Sequence, residues 1–482
     1  MKKLSYLLML LFGTVFISSC DKFVDEPYDN RVLLESVEEL EGVVINAYPM
    51  RADLFTEILT DNFHHYATTM QASMAPIYVP MYLWRDDYDE SNTIATPTGA
   101  YAHYYKKIYE ANIVIENVNE VTGSELKKKA LLGEALMLRA YNYFALVNLF
   151  GMHYDEAKNS TNLGVPLVLE VSKENRALYD RSTVKQVYDQ IDKDMADGLA
   201  LLKEASSLLP RTPYRFNLSS IYAFYSRVNL YKGKWDEVVK YADLIIAEKG
   251  KIVRKLSEDI NRKRTTSETY FAQEIMNPSI HPNLLLVNQS GVFLSRPFGF
   301  RLGGFYLAHD IFYKTPSTDL RGQLYSSGGT VIDSVALVVK YGQQPNNPNA
   351  GQARYDCFTM EEVLLNRAEA LLKVASPNIA AAINDIEAIR KERISPYTAL
   401  TVPTTVDEAL KLVLAERKLE LLGQGFRWFD IKRLGIQVEH RLVRTSAQPD
   451  EVLKPNDLRT ALQIPVTAVI GNPLLENQLN PR

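Results

Sequence analysis

Two stretches of this chain place amphipathic helices back to back across short breaks, with a further capped helix after them, and that arrangement limits the kind of core the chain can build. Leu218 to Tyr231 and Trp235 to Ala247 are divided by Lys232-Gly233-Lys234. Met360 to Val374 and Ile379 to Arg393 are divided at Ser376-Pro377-Asn378. A third helix opens with Thr405-Val406-Asp407-Glu408, a capping-box pattern, and runs to Leu422 before Gly423 and Gly425 stop it. Helix pairs of this kind cannot bury their apolar faces alone, so they stack on one another.

The chain turns helical from Ser36 and stays mostly helical through Lys249. Ser124 to Phe150 carries Leu131, Ala135, Leu138, Ala145 and Leu149 on one stripe. The next helix opens at a second capping box, Thr183-Val184-Lys185-Gln186. The pair around Gly233, with Trp235 two residues on, resembles a tetratricopeptide unit, although Val238 stands where that repeat prefers alanine. Residues 251–355 differ. Lys251 to Arg264 is charge-rich and reads as a solvated face or loop. Asn288 to Phe312 sets Gly291, Gly299, Gly303 and Gly304 among aromatics, Val331 to Tyr341 alternates like a hairpin strand, and Gln343 to Gly351 is an Asn/Pro/Gly loop. The expected fold class is mostly α, a tetratricopeptide-like helix-pair superhelix decorated by long irregular loops and a few short strands. Long loops on a rigid frame are where binding sits.

The first twenty residues, MKKLSYLLMLLFGTVFISSC, carry two lysines, an apolar run from Leu4 to Ile17, two serines and Cys20. This is the pattern of a secretory signal. Its apolar run of about 14 residues falls short of the roughly 20 that cross a bilayer as a helix. Ile17-Ser18-Ser19-Cys20 resembles a bacterial lipobox, in which the cysteine is acylated and becomes the first mature residue. Isoleucine and serine replace the commoner leucine and glycine or alanine of that motif. An ordinary secretory signal with an incidental cysteine is the alternative. One acyl chain holds weakly, at about 0.8 kcal/mol per buried methylene, and two or more hold firmly. The expected organisation is a signal over residues 1–19, an acidic tether over 20–35 (Asp21, Asp25, Glu26), and a single domain over 36–482 with loop insertions near 60–100 and 251–355.

A chain of 482 residues with 46% apolar content can bury a large core. Without Lys2 and Lys3, 52 basic residues stand against 58 acidic ones, a formal charge of −6. That balance gives no electrostatic footprint for nucleic acid. Aromatics make up 10%, with 28 tyrosines, equally suited to stacking on sugars and to helix packing. Cys20 and Cys357 are the two cysteines. With Cys20 acylated no disulfide forms, and Cys357, at the apolar helix start Cys357-Phe358-Thr359-Met360, reads as a buried structural thiol.

Several segments stand in a fixed order along the chain. They begin with Gly133-Glu134-Ala135-Leu136-Met137-Leu138-Arg139-Ala140-Tyr141, Phe150-Gly151 and Gly164-Val165-Pro166-Leu167. Val187-Tyr188-Asp189-Gln190-Ile191 with Asp194, Trp235, Asp319-Leu320-Arg321, Lys340-Tyr341 and Arg367-Ala368-Glu369-Ala370 follow. The strongest are Glu416-Arg417, Glu420-Leu421 and Arg427-Trp428-Phe429-Asp430-Ile431-Lys432-Arg433. Ile464-Pro465 and Asn472-Pro473 to Asn477-Gln478-Leu479-Asn480 complete the series. Together these segments resemble one family, the SusD/RagB-like outer-membrane lipoproteins of glycan- and peptide-uptake systems. Gln424 departs from the pattern, which usually has glutamate there, and a neutral partner weakens any ion pair to Arg427. The resemblance implies a lipid-anchored protein on the outer face of the outer membrane. Its partner would be a TonB-dependent transporter (SusC/RagA-like), over whose mouth it acts as a lid in polysaccharide utilisation.

Paired carboxylates invite a glycosidase reading of Glu416, Glu420 and Asp430. Each has an arginine close by in sequence (Arg417, Arg427, Arg433), and such pairing lowers a carboxylate pKa where a general acid needs it raised. The block, Trp428 included, therefore reads as a structural ion-pair network, and the chain as a non-enzyme. Sugars present apolar faces ringed by hydroxyls, so a binding surface wants flat aromatics beside amide, carboxylate or arginine groups. Two segments supply that mix: Asp61-Asn62 through Tyr78, Tyr82, Trp84 and Arg85 to Tyr88, and Arg296 to Tyr306 with Phe298, Phe300, Arg301, Phe305 and Tyr306. The ligand candidates are Asp61, Asn62, Tyr82, Trp84, Arg85, Arg301, Phe305 and Tyr306. Trp84 leads them, with a packed core tryptophan as the competing reading. Asp86, Asp87, Asp89 and Glu90 crowd one stretch that a structural calcium would suit, but their spacing fits no defined loop and a solvated acidic turn explains them. His64-His65 lacks further zinc ligands and reads as surface or loop histidine. No other cofactor is expected. Oligosaccharide capture is the leading function, with a peptide-binding lid of a RagAB-like oligopeptide importer as the alternative.

Overall fold

Helix starts follow caps written in the sequence. Ser36 accepts from the Glu39 N–H while the Glu39 carboxylate accepts from the Ser36 N–H, opening helix α1 (Val37–Asn46). In this computed structural model the described residues are 34–49, 53–65, 75–91, 96–172, 177–265, 277–289, 301–302, 305–307, 318–332, 335–338, 354–443 and 446–482. After α1 come a 3₁₀ turn (Leu54–Leu59), β1 (Phe63–His65), α2 (Ala75–Tyr82), α3 (Pro97–Asn117), α4 (Glu125–Phe150), β2 (Leu163–Pro166) and β3 (Arg181–Thr183). Helices α5 (Val184–Glu204), α6 (Leu218–Lys232), α7 (Trp235–Lys249) and α8 (Leu256–Thr265) follow. A strand-rich stretch holds β4 (Leu284–Gln289), β5 (Arg301–Leu302), β6 (Phe305–Leu307), α9 (Leu320–Tyr325), β7 (Ser326–Ile332), β8 (Val335–Val338) and β9 (Arg354–Thr359). The chain continues through α10 (Met360–Lys373), α11 (Ile379–Lys391), α12 (Val406–Glu420), α13 (Phe426–Leu434), β10 (Val438–His440), β11 (Glu451–Leu453) and α14 (Val466–Gly471).

The fold is mostly helical, as the stacked pairs require. Thr183 and Gln186 form the expected reciprocal box at α5. Thr405 instead accepts from the Glu408 N–H and turns its hydroxyl onto the Glu408 carboxylate at 2.9 Å. Gly233 ends α6 with φ 67°, the left-handed stop that lets Trp235 start α7 at once. Helix α10 packs on α6, α7, α11 and α12, and α4 lies between α3 and α5. At the α4–α5 crossing the backbones touch: a Cβ on Gly133 would meet the Gly198 carbonyl at 2.9 Å, and one on Gly198 would meet the Gly133 carbonyl at 2.8 Å. One apolar cluster runs through these layers from Val37 to Leu475.

Residues near the C-terminal end are woven into the frame through Arg181. Its Nη2 donates to Phe150 O and to Asn480 Oδ1, its Nη1 to Gln478 O and its Nε to Gly164 O. Asn480 Nδ2 donates to the same Phe150 carbonyl at 2.8 Å. The orphan Phe150 carbonyl at the end of α4 is thereby satisfied, while Lys432 Nζ and Leu462 N donate to those of Asn148 and Leu149.

Three expectations need correction. Lys251 to Arg264 is not a solvated loop: it contains α8, and Arg254 and Asp259 form an ion pair of 2.6 Å buried within it. Their charges read as surface in sequence because the counter-ion lies on the same short segment. Cys357 is buried, but in strand β9 ahead of α10 rather than at a helix start. The alternating stretch from Val331 is divided between β7 and β8, which pair antiparallel with Ile332 opposite Val335. Cys20, the tether over 20–33 and the loop over 343–351 lie outside the described residues.

Candidate functional site

The charged C-terminal block closes on itself and on its neighbours. Arg417 Nε donates to both Asp430 oxygens, at 3.1 and 2.9 Å, and Arg433 Nε reaches Asp430 at 2.8 Å. Arg433 also grips Glu369 through two bonds of 2.6 and 2.7 Å. Arg321 joins Glu416 to Glu420, and Arg393 holds Glu420 through bonds of 2.9 and 2.7 Å. Burial works to raise the Glu369 carboxyl, but Arg433, Lys373 and Arg417 overcome it and hold that group well below the usual carboxylate range. A general acid at neutral pH needs the opposite shift. These side chains brace α12 and α13 against α10 and α11, and Trp428 is buried among them.

The first ligand segment is corrected in several places. Trp84 is 5% exposed, donates its Nε1 to Leu59 O at 3.0 Å and stacks on His440 at 4.1 Å, so no face of the indole is open to a sugar. Tyr82 is buried on the other side of the same imidazole, at 3.9 Å and 3° between planes. Tyr78 and Tyr88 are buried as well. Asn62 is enclosed, with its amide on Glu57 at 3.2 Å. Asp61 spends both oxygens on Arg427, at 2.8 Å each, and also meets Lys418 at 2.7 Å. Burial raises its carboxyl, and the two cations overcome that and hold it well below its usual range. It is the counter-ion that Arg427 lacks at Gln424. Arg85 stays open, its side chain 54% exposed and 3.8 Å from Glu451. Where a loop insertion was expected, residues 75–82 form helix α2, with Pro80 inside it and Tyr78 and Tyr82 buried on it.

What the two candidate segments do share is a sheet. Strand β1 pairs antiparallel with β6, and β6 with β5, in the order β1-β6-β5. The register sets Tyr306 opposite both His64 and Arg301, and Phe305 opposite both His65 and Leu302. The backbone register thus sets His64, Tyr306 and Arg301 at one level of the sheet and His65, Phe305 and Leu302 at the next. Phe298 and Phe300 lie outside the described residues. His65 corrects the surface reading: it is buried, and its Nδ1 donates to Leu442 O at 2.8 Å. Sequence reasoning also missed His440 and Glu57, both buried here. Glu57 accepts from the Gly425 N–H at 2.8 Å, a contact across 368 residues that no local pattern announces.

Of the acidic stretch, Asp86 pairs with Arg482 through bonds of 2.5 and 2.7 Å. Asp89 accepts from the Ser91 N–H and Glu90 from the Val466 N–H. Among the described residues no group of three or more histidine, cysteine or acidic side chains is placed to hold a metal ion, and no helix is long and apolar enough to cross a membrane.

Comparison with known proteins gives a consistent picture. A family model described as starch-binding associating with outer membrane matches residues 22–230, and one described as the SusD family matches residues 308–464. The chain is 24% identical over 454 residues to the SusD-like protein P38 of Formosa agariphila, covering 82% of this chain and 83% of that one. A SusD superfamily crystal structure from Bacteroides thetaiotaomicron superposes with a TM-score of 0.72 at 20% identity, covering 93% of this chain and 100% of that one. A SusD-like carbohydrate binding protein from Bacteroides vulgatus superposes with a TM-score of 0.69 at 16% identity, covering 93% and 99%. On the two family matches and this shared fold, the chain belongs to the SusD/RagB-like family of glycan-binding, outer-membrane-associated proteins.

Proposed function

We propose that this chain is a lipid-anchored surface protein that captures oligosaccharides and hands them to a TonB-dependent outer-membrane transporter. The observation that carries this reading is the β1-β6-β5 sheet, whose backbone pairing joins the two segments that the sequence marks as richest in sugar-compatible residues. Capture rather than turnover is supported by the arginine pairing of Glu416, Glu420 and Asp430, which commits all three carboxylates to ion pairs. The name of the Bacteroides vulgatus neighbour and the starch-binding description of the matching family point to carbohydrate. Acylation at Cys20 would hold the protein at the membrane, and a lid role needs reversible binding without bond making.

The burial of Tyr78, Tyr82, Trp84 and Tyr88 leaves fewer rings for stacking, and this observation favours peptide capture as the second reading. Calorimetry of the lipid-free protein against panels of neutral oligosaccharides and of peptides separates the two. Saturable oligosaccharide binding with no new reducing ends is expected. Binding confined to peptides would move the assignment to oligopeptide import, and release of reducing ends would make the protein an enzyme. Cys20→Ala should yield a soluble folded protein, and a transporter barrel should copurify with the unsubstituted one.

A further inference from the structure

Both ring nitrogens of His440 face backbone carbonyls. Nδ1 lies 2.5 Å from Tyr82 O and Nε2 lies 3.0 Å from Thr60 O. A neutral imidazole has one N–H and one lone pair, so one of these contacts would set a lone pair against an acceptor, in a residue only 1% exposed. The doubly protonated ring donates to both. We propose that His440 carries both ring protons at neutral pH and is the positioning residue that fastens α2 and the 3₁₀ turn to β10, directly behind strand β1.

The surroundings act in the same direction. Tyr82 O belongs to the last turn of α2 and Thr60 O to the residue capping the 3₁₀ turn, and carbonyls at helix C-termini carry partial negative charge. The ring lies between the faces of Tyr82 and Trp84, at 3.9 and 4.1 Å, and aromatic faces attract a cation. Charged side chains on the packed elements are largely balanced. Strand β11 sets Glu451 opposite His440, with Asp450 beside it, while Arg459 lies 5.8 Å over the Trp84 ring and meets Glu451 at 3.2 Å. On the other side Glu57 is bonded to Gly425, and Asp61 to Arg427 and Lys418. On its own strand Glu439 pairs with Arg441. From β1, the His65 ring lies 6.3 Å from that of Tyr82. Two carbonyls and two ring faces thus favour the charged ring.

The clamp reaches the candidate binding sheet within two residues. Past His440, Leu442 O accepts from His65 Nδ1, so β1 is tied to the same strand end that holds α2. The contribution is complete while the ring is charged and is lost as pH rises through its titration in the folded protein. Loosening of the clamp should appear first in β1 and the 3₁₀ turn. This inference stands whichever ligand the sheet receives.

The test uses lipid-free protein carrying ¹⁵N-labelled histidine, with H440Q identifying the His440 signal among seven histidines. At about pH 7.5 a free imidazole is roughly tenfold more neutral than charged. In the folded protein long-range ¹H–¹⁵N correlation should find both His440 nitrogens protonated at that pH. Hydrogen exchange at Phe63 to His65 should accelerate beyond ordinary base catalysis only when that signal titrates. An unprotonated ring nitrogen at about pH 7.5, or β1 exchange that ignores the titration, overturns the proposal. Should H440Q fail to fold, contacts to the Tyr82 and Trp84 rings assign the resonance in the unsubstituted protein. No ligand enters this measurement, so its failure is distinct from failure of the capture reading.

Discussion

Asp61 and Arg427, 366 residues apart in sequence, face each other through two parallel hydrogen bonds of 2.8 Å. Lys418 completes the group at 2.7 Å. The carboxylate that composition offered to a sugar is thus the counter-ion of a signature arginine. The pair ties the turn before β1 to α13, placing an N-terminal loop on the C-terminal helices. Bidentate pairs of this geometry are the stronger kind of ion pair.

Asp61→Asn keeps the shape of the side chain and leaves two cations poorly paired. The side chain is 29% exposed, so the loss should be about 1–3 kcal/mol, below that for a fully buried pair. A lowered urea midpoint at unchanged slope is the expected reading. Affinity for oligosaccharide should change less than stability does, since both Asp61 oxygens are already committed to Arg427 and Lys418. Lost affinity with full stability would return Asp61 to the ligand site.

Acid should destabilise this protein through particular carboxyls. Asp61 and Glu369 are held below their ordinary values of 3.8 and 4.5. The unfolded chain therefore binds protons first as pH falls, and the stabilisation present above those values is lost on acidification. Melting temperature should be flat in this respect above about pH 5 and fall below it. Glu369→Gln, less stable throughout, should show a shallower fall; an unchanged profile would remove Glu369 from the account.

Asp430→Ala takes from the buried Arg417 its ion-pair partner and leaves Arg433 paired with Glu369 but no longer with residue 430. Removing one partner of a buried pair costs about 3–5 kcal/mol, and calorimetric melting should show a loss of that order. A stable variant defective only in ligand binding would contradict the bracing role.

Trp84 adopts φ 52°, the left-handed region, at the end of α2. Trp84→Ala should cost about 3–5 kcal/mol for the lost packing. Glycine ordinarily costs about 1 kcal/mol relative to alanine. Here Trp84→Gly should melt no lower than Trp84→Ala, because a side chain at positive φ carries a penalty of about 1–2 kcal/mol. A glycine variant clearly less stable than alanine would refute the backbone argument.

The helical frame was legible because its signals are local. Thr183 with Gln186, the stop at Gly233, and the stripe on α4 each rest on residues close together in sequence. The binding region was half legible. Both segments were recognised as candidates, and the β1–β6 pairing joins them, yet which of their side chains are buried depends on residues far away. Trp84 and Tyr82 look exposed beside Arg85 and Asp86 until His440, more than 350 residues on, is inserted between them. Arg254 and Asp259 misled for the same reason, since a charge-rich string says nothing of whether its charges are paired indoors.

The bonds from Arg181 to Gln478 and Asn480 span 297 and 299 residues. A ribosome adding 5–20 residues per second finishes helix α4 roughly 15–60 s before the partners that seal its end exist. During that interval the guanidinium and the Phe150 carbonyl wait in an open seam, which gives a holding chaperone or an export machine time to act before the frame locks.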